Sequence, residues 1–255
     1  MMNNMERFHH DLRERRAVKV IAGINNFDMD RVRQVVTAAH QGNASAVDVA
    51  ASEEIIRMAK ETTNLPVFVS SIDAQELAMA ANAGADALEI GNFDALYAEG
   101  MRISAEEVLE LTRRTRALVG NDIFLSVTIP GHLDINEQIW LARELENFNV
   151  NLIQTEGSAV ANVEHTGARG LLEKANVSIA NTIEISRNTE IHVMTASGIN
   201  TTTARMAFAA GAHAIGVGSC VNRLNTVVEM TAVVKTIVES VNGMRFVESR
   251  EMELA

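Results

Sequence analysis

The 255-residue sequence has a single cysteine, Cys220, which excludes an internal disulfide and suits a reducing compartment. It has no apolar run near the roughly 18 residues of a membrane span. Its opening, MMNNMERFHHDLRERR, lacks the apolar centre of a secretory signal. The basic stretch from Arg13 to Arg16 is broken by Glu14, follows Glu6 and Asp11, and has no serine, so it does not read as a transit peptide. Bases are few: 22 Lys and Arg face 33 Asp and Glu, for a net charge of −11. That argues against a nucleic-acid partner while leaving room for one local basic pocket. The seven histidines show no HxH or HExxH spacing, so no protein-bound metal is expected. No nucleophile elbow supports a Ser-His-Asp triad. Where a dinucleotide fold would place GxGxxG, after the first strand, the chain reads GINNFD.

What is present is a regular alternation. Short β-branched runs at 18–24, 46–51, 67–72, 87–91, 124–129, 152–156, 192–196 and 214–218 predict eight strands. Helical patterns follow at 30–41, 52–62, 74–83, 105–119, 136–148, 177–188, 202–210 and 226–241. Gly42, Gly84, Gly120 and Gly211 stand where helices end. Near-continuously apolar strands imply a parallel sheet covered by helices. This count and length predict a single-domain α/β protein, a (β/α)8 TIM barrel over 17–242. Residues 1–16 read as a tail or capping helix over the bottom of the barrel, with Met5, Phe8 and Leu12 on one face. Residues 243–255 read as a charged tail with Phe246.

An internal echo agrees. AGADALEIGN at 83–92 ends strand four, and AGAHAIGVGS at 210–219 ends strand eight, four units later. A doubled half-barrel leaves that separation. INNFD at 24–28 and IGNFD at 90–94 form a second pair.

In such a barrel the active site lies at the C-terminal ends of the strands. TASGIN (195–200) and GVGSCVNR (216–223) place Ser197, Gly198, Gly218 and Ser219 at the last two strand-to-helix turns. Glycine admits close approach of a ligand, and turn N–H groups can face an anion. Arg223 would add charge. The anion would belong to a phosphosugar or to a flavin nucleotide such as FMN.

Strand alternation turns Lys19, Asp48 and Glu89 away from their branched neighbours and into the barrel, where they should pair. They read either as acid/base groups for a bound carbonyl compound, with Lys19 a proton donor or Schiff-base amine, or as a structural ion network. Lys19 comes early in its strand; Glu89 and Glu156 lie nearer the top and make the better general bases. The echo then suggests a division of labour, with Gly216 and Gly218 leaving room for an anion and Glu89 offering a carboxylate across the mouth. Residues 157–170, GSAVANVEHTGARG, read as a long loop, a lid that carries His165 and Arg169 or a merely flexible segment.

The segments INNFD, VSSI, EIGNFDALYAEG, SAEEVLELTRRTR, LSVTIP, IQTEG, TASGIN and GVGSCVNRLN together resemble the hypothetical chloroplast reading frame twenty-three family, over about 18–235. The resemblance implies a TIM barrel of the plastid stroma or the cyanobacterial cytoplasm, and carries no catalytic residues with it. Three functions stay open: a small-molecule enzyme of the isomerase or aldolase kind that binds a phosphorylated ligand, an FMN oxidoreductase of the same fold, and a non-enzymatic regulatory or assembly protein. No nucleic-acid or membrane partner is expected, and a homo-oligomer is compatible with the sequence.

Overall fold

The computed structural model describes residues 3–97 and 100–243. Eight parallel strands close into a barrel in sequence order. They are β1 (Ala17–Ile21), β2 (Ala46–Ala50), β3 (Val67–Ser71), β4 (Ala87–Ile90), β5 (Phe124–Ile129), β6 (Leu152–Thr155), β7 (His192–Thr195) and β8 (Ala214–Val217). β1 pairs with both β2 and β8, so the sheet has no edge. The wrapping helices are α2 (Met29–Gln41), α3 (Glu53–Thr62), α4 (Ala74–Asn82), α5 (Ala105–Val119), α6 (Ile135–Leu145), α7 (Gly167–Ser186), α8 (Ala204–Ala209), α9 (Ser219–Asn222) and α10 (Val227–Asn242). Among the described residues no helix is long and apolar enough to cross a membrane.

The branched side chains of each strand face outward. Val18, Val20, Val47, Val49, Val67 and Val69 are buried against the helices. Several helices start on reciprocal caps: Ser104 with Glu107 opens α5, Asp134 with Glu137 opens α6, and Thr226 with Glu229 opens α10.

The inward residues stack in layers. The lowest is apolar and contains Ala17, Ala46, Phe68, Ala87, Phe124 and Leu152. Helix α1 (Asn4–Arg13) plugs this end. Its Phe8 and Leu12 are fully buried, Met5 packs beside them, and Phe8 meets Phe68 and Phe124 edge-on at 5.1 and 5.7 Å. The next layer is polar, with Lys19, Asp48, Ser70, Glu89 and Ser126 all buried.

One element departs from expectation. Helix α7 begins at Gly167 rather than near 177, so the long loop is ordered and shorter than its composition suggests. Glu173 causes this: its Oε2 accepts the backbone N–H groups of Glu164 and His165 at 2.9 and 3.0 Å, drawing the segment onto the first turns of the helix. Gly170 fits because a Cβ there would lie 1.9 Å from the His165 carbonyl oxygen. The charged tail expected at 243–255 lies, beyond Gly243, outside the described residues.

Candidate functional site

A cavity of about 400 Å³ opens at the C-terminal mouth of the barrel, within the size range of small-molecule sites. Its β7 and β8 side is built from Ser197, Gly198, Gly218, Ser219 and Arg223, the residues that the sequence placed at the two glycine turns. Backbone geometry explains the residue types. Gly198 has φ +83°, and a Cβ there would lie 2.7 Å from the Lys174 carbonyl oxygen. Ser197 is itself left-handed at φ 65°, a costly conformation for a residue with a side chain. Gly216 lies just beneath, where a Cβ would meet Ala196 and Ile21 at 2.9 Å. A Cβ at Gly218 would have only ordinary contacts, the nearest at 3.4 Å.

The β4 and β6 side carries the carboxylates. Glu156 follows β6 and is 2% exposed. Its Oε1 accepts the Tyr97 hydroxyl at 2.6 Å, and its Oε2 accepts the Asp94 backbone N–H at 3.0 Å. Among the described residues no cation pairs with it. Burial, with the nearby Asp94 carboxylate adding to it, pushes the Glu156 carboxyl up to about 8. Tyr97 is held well above its ordinary value, by burial first and then by Glu156. Its hydroxyl also lies 3.1 Å from His132 Nδ1. Burial lowers the His132 value, with Arg102 contributing.

Asp94 organises the rim. Its Oδ2 accepts the N–H groups of Gly157 and Ala159 and the Ser158 hydroxyl, each at 3.3 Å, and also the Ser197 hydroxyl. One carboxylate thus joins the turn after β4 to the loops after β6 and β7. Lys174, on α7, reaches the cleft and makes no ion pair among the described residues. Sequence reasoning gave neither residue a role. Asp94 was signalled by the repeated NFD, whereas Lys174 was hidden by the late start expected for α7.

Two groups of expected site residues lie elsewhere. Lys19, Asp48 and Glu89 do pair, with Lys19 Nζ contacting Glu89 Oε2 and lying 3.4 Å from Asp48 Oδ2. They do not line the cleft, and each is at most 1% exposed. Glu89 is level with Ser70 and Ser126 in the strand register, a layer below the mouth, so it offers no carboxylate across it. Burial pushes the Glu89 carboxyl up, against the pull of Lys19. Asp48 is further held by the Ser70 hydroxyl at 2.7 Å and the Asn92 amide at 3.2 Å. The second group is the supposed lid. His165 Nδ1 and Arg169 Nε both bind Glu173 Oε1, at 2.7 and 3.2 Å, and neither lines the cavity. Their shared carboxylate partner holds them along α7.

The fold and mouth define a closed (β/α)8 barrel with a ligand-sized cleft over a sealed ionic interior. The chain belongs to the family described as "Protein of unknown function (DUF561)", which matches residues 1–247. It is 38% identical to the uncharacterized protein ycf23 of Cyanophora paradoxa over 248 residues, covering 95% of this chain and 98% of that one. It is 37% identical to ycf23 of Pyropia yezoensis over 238 residues, covering 92% and 87%. Among solved structures, (S)-3-O-geranylgeranylglyceryl phosphate synthase from Thermoplasma acidophilum, in complex with sn-glycerol-1-phosphate, has the same fold, with a TM-score of 0.61 at 20% identity, covering 94% of this chain and 99% of that one.

Proposed function

We propose that this protein is an enzyme acting on a small phosphorylated molecule by carboxyl acid/base chemistry, of the isomerase or lyase kind. The carrying observation is one cleft with two unlike sides: glycine turns beside Lys174 and Arg223, which make no ion pair among the described residues, and a buried carboxyl, Glu156, that among the same residues has no cation partner. The phosphate would rest against the backbone of Ser197, Gly198, Gly218 and Ser219, at the turns where barrels frequently hold one. Support comes also from the barrel of like fold that was crystallised with sn-glycerol-1-phosphate.

Glu156 would be the group that moves protons. Largely protonated at neutral pH, it can donate to a substrate oxygen and accept the proton back, and Tyr97 holds its orientation. Lys19, Asp48 and Glu89 act beneath it as the ionic floor. The net charge of −11 opposes a polyanionic partner, so the ligand is small. The proposed compartment is plastid stroma or cyanobacterial cytoplasm, supported by the ycf23 relatives.

The test is Gly218→Asp, which sets a carboxylate in the anion seat at a position where a Cβ meets no close contact. Inorganic phosphate should bind the wild type in a calorimetric titration and fail to bind the variant, while circular dichroism stays unchanged. Equal phosphate binding by both would show that the seat is misplaced.

A further inference from the structure

Buried acceptors without donors are rare in folded proteins, and each calls for an explanation. Among the described residues, three sit around this one cleft: Asp94 Oδ1, Gln154 Oε1 and Asn222 Oδ1. None is a matter of amide orientation. Gln154 Nε2 donates to Asn92 Oδ1 at 2.8 Å and to Thr128 Oγ1 at 3.1 Å, so its oxygen must point the other way. Asn222 Nδ2 donates to the Ile21 carbonyl at 2.9 Å, which fixes its oxygen likewise. Asp94 spends its Oδ2 on the rim and keeps Oδ1 unpaired. Gln154 is 1% exposed, and its free oxygen faces the space left by Gly216, where a Cβ would approach it to 3.3 Å.

All three unpaired atoms are acceptors, and Lys174 and Arg223, which make no ion pair among the described residues, lie at the same cavity. The complementary ligand is therefore an anion that also carries several hydrogen-bond donors. From this we infer that the occupant is a polyhydroxylated phosphate monoester, its hydroxyls donating to Asp94, Gln154 and Asn222 while its phosphate sits at the β7 and β8 turns. This rests on the phosphate reading above and adds the chemistry of the remainder of the ligand. Two sources share that chemistry: a free sugar phosphate and the ribityl phosphate arm of FMN.

The test compares ligands on the intact protein. Methyl phosphate has the anion and no hydroxyls; triose, pentose and hexose phosphates have both. At least one sugar phosphate, or FMN, should bind the wild type roughly tenfold or more tightly than methyl phosphate, as expected for added hydrogen bonds that include one to a carboxylate. Tighter binding by FMN, read from its fluorescence, supports the class and assigns the polyol to a flavin; tighter binding by a sugar phosphate supports it and assigns a free sugar. In Asp94→Asn the amide carbonyl can keep the rim contacts while its NH₂ replaces the free acceptor. That variant should lose most of the tenfold preference, while its methyl phosphate affinity, no longer opposed by the Asp94 charge, does not fall. Gln154→Met, which removes a second acceptor without adding charge, should act in the same direction, with folding of both checked by circular dichroism. If methyl phosphate binds wild type but not Gly218→Asp, and no polyol phosphate binds more tightly, the phosphate seat stands and the hydroxyl inference is overturned. If no phosphate compound binds at all, both fall.

Discussion

Glu89 on β4 and Glu156 just after β6 are both buried glutamates on the inner side of the barrel, yet their surroundings differ. Glu89 touches Lys19 and sits with Asp48 in a closed layer. Glu156 has only neutral donors among the described residues, Tyr97 and the backbone N–H groups of Asp94 and Gly131, and lines a cavity. A buried carboxylate beside an ammonium is a structural group: removing one partner strands the other. Burial raises both carboxyls, but Glu156 alone faces the cavity and has no cation to hold, so it is the one available for transfer. Burial alone therefore does not mark a site; the partner and access to the cavity do.

The largest expected effect breaks the structural half of this contrast. Lys19→Met leaves Glu89 and Asp48 in the interior without their cation, and should cost roughly 3–5 kcal/mol of unfolding free energy in urea. Lys19→Met combined with Glu89→Leu removes both contacting charges. It should recover a large part of that loss, since Asp48 keeps its bonds to Ser70 and Asn92. A neutral Lys19→Met would mean that the ion pair does not hold the layer together.

Glu156→Gln probes the other half. Glutamine imitates the protonated acid, with its NH₂ able to donate to the Tyr97 oxygen. Phosphate binding should persist, and turnover of a substrate, once one is found, should fall by about 10²–10⁴-fold. Stability carries a second signature. The folded value, about 8, lies above the ordinary value of 4.5, so the folded protein binds the extra proton between them. This contribution to stability is fully present below about 4.5 and is lost as pH rises through about 8. The wild-type melting temperature should therefore fall across that window, and Glu156→Gln should flatten the fall. An identical slope in both proteins would remove Glu156 as its source.

The inward direction of Lys19, Asp48 and Glu89 was legible in the sequence because strand alternation has a period of two. Their height was not. Barrel strands tilt and stagger, so place along a strand does not give depth. Glu89 is one residue from the end of β4, yet it is level with Ser126, three residues before the end of β5. The repeated NFD shows a similar limit. Asp28 caps α2, accepting the N–H groups of Asp30 and Arg31 at 3.1 and 3.0 Å, whereas Asp94 reaches across to the loops after β6 and β7. The same three letters serve a local cap in one unit and a long-range tie in the other, because the first leads into a full helix whereas Phe93 and Asp94 of the second lie within a 3-10 turn at the rim. The two glycine turns were legible because the backbone conformation at Gly198 and the close packing at Gly216 demand glycine. Lys174 was not, since Gly167 and Gly170 look like helix breakers until the Glu173 contacts are known.

The smallest expected effect sharpens the contrast at a single atom. The Tyr97 hydroxyl donates to Glu156 Oε1 and so favours the charged carboxylate, partly opposing burial. Tyr97→Phe removes that donor and keeps the ring under Arg102, whose guanidinium carbon lies 4.5 Å from the ring centre. A hydrogen bond of this kind contributes about 0.5–1.5 kcal/mol, equivalent to a rise of up to roughly one pH unit. The Glu156 titration, followed by carbon NMR of labelled glutamate carboxyls, should therefore move above about 8. The Glu89 signal, a layer below and bonded to Lys19, should stay where it is. A Glu156 midpoint that falls would mean that the hydroxyl stabilises the protonated acid instead, and the tyrosine would then be the acceptor of the proton that Glu156 carries.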